Sequence, residues 1–183
     1  HGTMTADLSG GAAISAGANG SAALTLSGTQ AQIAAALATL TYLGAANYTG
    51  ADALALTATD ASGLTANGSL AITVSPVNDS PTLVLPGAQT LSGSQTVTFG
   101  TATGNALTVG DVDAGASPVQ VTLTATHGLL TLSTLAGLTF SAGTGTLDTT
   151  MTFTGTLAAL NAALDGLVLR EAPAFAGSDT LTV

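Results

Sequence analysis

The sequence predicts an all-β fold made of consecutive β-sandwiches, each with one short helix. Most of the chain alternates apolar and polar residues over short stretches rich in Thr, Val and Leu, which is the side-chain period of a half-buried strand. Residues 70–74 and 119–124 are examples. Gly, Asn, Asp and Ser separate these stretches at positions typical of turns. Sheets that bury one face are therefore expected.

An internal repeat of about 127 residues organises the chain. Segment 28–56 aligns without a gap with segment 155–183. The matched pairs include Tyr48 with Phe175, Asp52 with Asp179 and, after a one-residue slip, His1 with His127. The chain thus holds roughly one and a half copies of the repeat.

One segment of each copy departs from the strand pattern. Apolar residues in 29–39 and in 156–165 recur at helical spacing, and each segment begins with Thr at the N-cap position. Gly166 follows the second segment, as is common at helix ends. We predict a short helix over each segment, crossing one end of a sandwich.

The boundary between the copies is predicted around residues 76–81. Pro76 and Pro81 bracket a turn-prone polar pair directly after a predicted strand. Residues 1–76 would form the C-terminal part of a first sandwich repeat. Residues 77–183 would form a second repeat that lacks its last strand, so we expect the chain to belong to a longer protein.

Composition excludes several classes of partner. Ten acidic residues stand against a single basic one, Arg170, so no positive surface can neutralise nucleic acid or anionic lipid. Membrane insertion is not expected, because no apolar run approaches the roughly 18 residues that a spanning helix needs. Cysteine is absent, which excludes disulfides and thiolate metal sites. A charged fraction of 6% favours an extracellular location.

Four segments carry a resemblance to a known family: the linker 77–81, the Asp-containing stretch 107–114, the helix segment 155–161 and the strand segment 175–183. Together they resemble the bacterial cadherin-like and immunoglobulin-like tandem repeats of large secreted surface adhesins. The resemblance implies cadherin-like or Ig-like sandwiches displayed at a bacterial cell surface. The second copy departs from the first at Arg170-Glu171, where the first has Leu43-Gly44.

Calcium is the chemistry that these residue types favour, since it takes six to eight oxygen ligands from carboxylates, amides and backbone carbonyls. The candidate ligands are Asp60, Asn78, Asp79, Asp111 and Asp113. The resemblance implies a joint site shared by the linker and the loops of adjacent repeats. Each residue also has a structural interpretation, because Asp and Asn commonly form Asx turns. Asp52 and Asp179 are expected to bond backbone amides at strand entries rather than a metal.

Catalysis is not expected. The two histidines, His1 and His127, fall at equivalent turn positions of the repeat, and no nucleophile elbow or phosphate loop occurs. The aromatic fraction is 3%, and Tyr42 and Tyr48 fall where the repeat suggests core packing.

The sequence therefore predicts a non-enzymatic spacer or adhesion module of a long extracellular repeat protein, stiffened by calcium between repeats. Its partners would be neighbouring repeats of the same chain, and its cell-surface or glycan target is left open. Two alternatives remain at this stage. One is a self-assembling filament or surface-layer subunit joined to identical chains by strand exchange. The other is a carbohydrate-binding module.

Overall fold

The computed structural model describes residues 1–91, 95–173 and 175–183. These residues are mostly β-strands in small antiparallel sheets, with two short α-helices, which confirms the predicted all-β class. The chain divides into two compact units, unit 1 (His1–Val77) and unit 2 (Asn78–Val183). No helix in the described ranges is both long and apolar enough to span a bilayer.

Unit 1 has three two-stranded antiparallel sheets and one helix. Its elements are β1 (Gly2–Thr5), β2 (Ala13–Gly17), β3 (Leu24–Ser27), α1 (Gln30–Ala38), β4 (Thr41–Gly44), β5 (Gly50–Thr59) and β6 (Thr65–Val74). The sheets pair β1 with β4, β2 with β3, and β5 with β6. The buried core consists of Ala6, Ala12 and Ala36. Because alanine buries little apolar area, the hydrophobic stabilisation of this unit is small.

Unit 2 contains two four-stranded antiparallel sheets, a two-stranded sheet and one helix. Its elements are β7 (Thr82–Val84), β8 (Thr96–Phe99), β9 (Thr108–Gly110), β10 (Val119–Ala125), β11 (Leu129–Thr131), β12 (Thr139–Ala142), β13 (Thr146–Asp148), β14 (Thr150–Gly155), α2 (Leu157–Leu164), β15 (Leu167–Arg170) and β16 (Leu181–Thr182). One four-stranded sheet has the order β12-β14-β10-β16, and the other has the order β13-β11-β15-β8. The third sheet pairs β7 with β9.

The main hydrophobic core lies in unit 2. Both four-stranded sheets and α2 contribute side chains to it. Its largest fully buried members are Phe153, Leu123, Leu130, Met151, Leu160, Leu164 and Leu167. These large side chains make unit 2 the better stabilised of the two units.

Both helices occur where the sequence predicts them. The Thr29 hydroxyl accepts a hydrogen bond from the Gln32 N–H at 3.4 Å, and the Gln32 side chain accepts from the Thr29 N–H at 2.8 Å. This reciprocal pair is a capping box. Thr156 caps α2 in the same way, accepting from the Ala159 N–H at 3.3 Å. The predicted helices are therefore confirmed, and matched threonines begin both.

A single polar side chain of α2 joins the helix to β9. The Asn161 carbonyl accepts from the Val109 N–H at 2.8 Å, and its amide donates to the Val109 carbonyl at 2.8 Å. Both backbone groups of Val109, a buried residue, are thus satisfied by one side chain. This contact anchors the β7–β9 sheet to the rest of unit 2.

Replacing Asn161 by Ala is expected to lower the free energy of unfolding of unit 2 by about 2 kcal/mol, because two partly buried backbone groups lose their partner. Urea denaturation followed by the NMR signals of the four phenylalanines measures this, since all four lie in unit 2. An Asn161→Asp variant, which keeps the acceptor and loses the donor, should fall between Ala and the natural chain. Equal stability of all three chains would contradict this role.

Candidate functional site

Four of the five predicted calcium ligands lie at one end of the β7–β9 sheet. The antiparallel register pairs Thr82 with Gly110. The segment before β7 and the loop after β9 therefore meet at the same end. The Asp79 N–H donates to a carboxylate oxygen of Asp113 at 2.8 Å, which joins the two segments.

The Asp111 and Asp113 carboxyl groups lie side by side in this loop. Oδ1 of Asp111 accepts from the N–H groups of Asp113 at 3.1 Å and Ala114 at 2.9 Å. A hydrogen bond from the Asp113 side chain, together with these backbone bonds, lowers the pKa of Asp111. A shared proton or cation would offset the repulsion between two such carboxyl groups.

The two carboxylates are oxygen donors of the kind that calcium takes, but they are fewer than calcium needs. Asp79 offers the cluster its backbone N–H, and the Asn78 side chain donates to the Asp79 carbonyl at 2.9 Å. Within the described ranges, no group of three or more His, Cys, Asp or Glu side chains is placed to hold a metal ion. Backbone carbonyls and water would have to complete the six to eight oxygens that calcium takes, so a site here would be weak.

Asp60 belongs to unit 1 and organises a hairpin turn. Its Oδ1 accepts from the N–H groups of Ser62 at 2.8 Å and Leu64 at 2.9 Å, between β5 and β6. These bonds are those of an Asx turn. The structural interpretation of Asp60 is therefore the one that its contacts support.

A second acidic cluster in unit 2 centres on Asp179. Its Oδ1 accepts from the N–H groups of His127 at 3.0 Å and Thr180 at 2.7 Å, and its Oδ2 accepts from the Gly128 N–H at 2.8 Å. Burial opposes ionisation of Asp179, but these bonds and one from Glu171 outweigh it, so its pKa is lowered. Asp179 thus bonds backbone amides, as the sequence predicts.

Glu171 is the buried acidic residue beside Asp179. It is 7% exposed, and no donor in the described residues reaches its Oε2. Burial raises the pKa of Glu171, and the hydrogen bond to Asp179 and its negative charge raise it further. When protonated, the Glu171 carboxyl donates a hydrogen bond to the Asp179 carboxylate. In the sequence, an acid at the position that Gly44 occupies in the first copy is the signal that points to Glu171.

Both acids line a cavity of about 820 Å³ in unit 2. Its lining is mixed, with Val97, Phe99 and Leu181 among the apolar members and Gln89 and Gln95 among the polar ones. A cavity in which apolar side chains and acidic groups converge is a candidate ligand site.

The corresponding positions of unit 1 have a different arrangement. Asp52, which matches Asp179, accepts from the Tyr42 hydroxyl at 2.6 Å. This bond raises the pKa of Tyr42 to about 12 and lowers that of Asp52 to about 2. The His1 ring stacks on Tyr48 with centroids 4.2 Å apart, as His127 stacks on Phe175 at 4.8 Å. The histidines of both units thus pack against rings.

Comparison with known proteins gives one family match, which falls in unit 1. Residues 3–68 match the model of the Protein GAMETE EXPRESSED 2 domain. The match covers about a third of the chain. No curated protein and no solved structure matches the chain.

This match overturns the resemblance to bacterial adhesin repeats. It points to a gamete-expressed protein rather than to a bacterial surface protein. The predicted spacer or adhesion module is therefore wrong, and so are the bacterial adhesin and cadherin associations. The filament and carbohydrate-binding alternatives gain no support. The four segments that carried the resemblance are short and rich in small and turn-forming residues, which many all-β proteins use in turns and loops, so they did not distinguish families.

Proposed function

We propose that this chain is a non-enzymatic, extracellular, calcium-binding part of a gamete-expressed protein. The family match at residues 3–68 supports the gamete-expressed protein. The juxtaposition of the Asp111 and Asp113 carboxyl groups, held by the Asp79 N–H, carries the calcium assignment. The low charged fraction and the absence of cysteine are compatible with an extracellular protein held together by packing.

Two structural features favour a binding role over catalysis. His127 stacks on Phe175, and its Nδ1 lies 3.7 Å from the Asp179 carboxylate, which already accepts three backbone N–H groups. A general base needs a hydrogen-bond path to a nucleophile, and the Asp179 bonds are those of a structural turn.

The proposed architecture of unit 2 is an Ig-like β-sandwich. Residues of both four-stranded sheets share one hydrophobic core, which is the defining property of two sheets packed face to face. The matched helices and histidine stacks support unit 1 as a partial copy of the same repeat.

Calcium would bind through Asp111 and Asp113, with the linker carbonyls near Asn78 and Asp79 as further donors. A divalent cation would offset the repulsion between the adjacent carboxylates. With two carboxylates in the set, the dissociation constant should be on the order of 0.1–1 mM, the range of extracellular calcium modules.

The test is thermal unfolding of the chain with calcium and with chelator, followed by the phenylalanine signals of unit 2. At a calcium concentration about ten times the dissociation constant, unit 2 should gain roughly 1.4 kcal/mol. The paired substitution Asp111→Asn with Asp113→Asn should abolish that gain. Asp60→Asn is the matched control and should leave the gain unchanged, since Asp60 lies in unit 1.

Two outcomes would reject the calcium assignment. One is a calcium effect that survives the paired substitution. The other is identical stability of the natural chain in calcium and in chelator.

A further inference from the structure

The cavity of unit 2 is lined by edge strands of both four-stranded sheets. β8 ends one sheet and β16 ends the other, and residues of both strands face the cavity. Val97 and Phe99 come from β8, and Leu181 comes from β16. Leu107 and Leu169 add further apolar surface. These five side chains form an apolar part of the lining that suits an aliphatic chain.

At this cavity, Glu171 presents an acid that the described chain leaves without a cation. It is 93% removed from solvent, since its exposed fraction is 7%. No described ion pair involves Glu171, and no basic side chain is among the residues lining the cavity. A buried acceptor without a donor is costly, so a group that supplies a donor is stabilised on binding.

The charge of the whole chain favours a cationic occupant. The formal net charge is −9, there is no Lys, and Arg170 is the single basic residue apart from the histidines. The resulting negative potential draws positively charged groups towards the surface and concentrates them near clefts.

We propose that this cavity binds the Lys or Arg side chain of a basic partner, with Glu171 pairing with the cationic group and the apolar walls enclosing its aliphatic stem. Long basic side chains combine an apolar stem with a charged end, which is the pattern that the cavity presents. This site is separate from the Asp111–Asp113 loop, so its test does not depend on whether calcium binds there.

Binding is linked to the proton of Glu171. Where Glu171 is protonated, its carboxyl loses that proton to solvent, and the resulting carboxylate pairs with the ammonium or guanidinium group, which keeps its own proton. Burial and the neighbouring Asp179 raise the pKa of Glu171, so this release extends to higher pH than for an exposed glutamate. The facing groups are Asp179, whose negative charge assists the cation, and His127, whose protonated form would oppose it. Affinity should therefore increase with pH.

The first experiment is an NMR titration of the whole chain with n-butylammonium, n-butylguanidinium and the tripeptide acetyl-Ala-Lys-Ala-amide. n-Butanol is the neutral control and calcium chloride the metal control. The cations should shift the amides of residues lining the cavity. The peptide should bind at least as tightly as the free amine if a protein side chain is the natural ligand.

Glu171→Gln is the decisive variant. Gln removes the acid but can still donate to Asp179, so the fold should persist. Affinity for the cations should fall about tenfold or more, because the charge-assisted bond is lost. Asp7→Asn makes the same change of net charge on an exposed residue of unit 1 whose side chain bonds to Ser9, and should leave affinity unchanged.

Proton release provides a readout that does not depend on any variant. Calorimetry of the natural chain in two buffers of different ionisation enthalpy should show protons released on cation binding in mildly acidic solution, and fewer at higher pH. Equal binding of n-butanol, unchanged affinity in Glu171→Gln, binding that releases no proton even in mildly acidic solution, or displacement of the amine by calcium at the same amides would each overturn the proposal. If the free amine binds more tightly than the peptide, a protein side chain is not the natural ligand.

Discussion

Replacing Leu164 by Ala is expected to lower the free energy of unfolding of unit 2 by about 3 kcal/mol. Leu164 lies on α2, is 0% exposed and packs in the core shared by both four-stranded sheets. The substitution removes buried methyl groups and leaves a cavity that a close-packed core fills poorly. A loss of this size is a large fraction of the stability of a domain of this length.

The repeat supplies a matched control at Leu37. This residue stands at the same position of α1, but it is 43% exposed. Leu37→Ala should therefore cost less than about 1 kcal/mol, in line with its partial burial. Tyrosine fluorescence reports unit 1 and phenylalanine NMR signals report unit 2, because both tyrosines lie in unit 1 and all four phenylalanines in unit 2. Similar losses for the two variants would show that α2 is not a core helix.

This contrast shows what the sequence could and could not predict about the fold. The threonine caps and apolar spacing are local signals, so they located both helices. Burial is not local. Leu164 is enclosed because the strands of unit 2 form two four-stranded sheets around it, whereas α1 packs on a core of three alanines. The similar helix patterns therefore locate both helices but do not predict how deeply each is buried.

In both acidic clusters, likewise, local spacing predicts part of the arrangement, and strand pairing determines the rest. Asp111 and Asp113 are two residues apart, and their closeness follows from the spacing. Their contact with Asp79 depends on the pairing of Thr82 with Gly110, which no local pattern predicts. Glu171 meets Asp179 and His127 because β11 pairs with β15 and β10 pairs with β16. Glu171 is visible as an acid in the sequence, but its contacts with Asp179 and His127 depend on the strand pairing.

Replacing Asp179 by Ala is expected to destabilise unit 2 by about 3 kcal/mol. Three backbone N–H groups, those of His127, Gly128 and Thr180, lose their acceptor together. The Asp179 side chain is 6% exposed, so water replaces these bonds poorly. The buried Glu171 carboxyl also loses the carboxylate to which it donates.

Asp52→Ala is the control in unit 1. Asp52 accepts from the Tyr42 hydroxyl and the Ala53 N–H. Tyr42 is partly exposed and can bond to water instead, so the expected loss is about 1 kcal/mol. Urea denaturation with the tyrosine and phenylalanine readouts measures both variants. A loss in Asp179→Ala no larger than that in Asp52→Ala would show that the three backbone bonds contribute little.

The pH dependence of stability separates the two acids of the cluster. The pKa of Asp179 is lowered from 3.8 in the folded chain, so its contribution is present above that value and is lost as pH falls through the folded pKa. The pKa of Glu171 is raised from 4.5, so its contribution is present below that value and is lost as pH rises through the folded pKa. Unit 2 should therefore be most stable in mildly acidic solution, where Asp179 is ionised and Glu171 is neutral.

Asp179→Ala should remove the decline on the acid side that is due to Asp179, whereas Glu171→Gln should remove the decline on the alkaline side. If the alkaline decline persists in Glu171→Gln, another group causes it, and the raised pKa of Glu171 that links cation binding to proton release is contradicted.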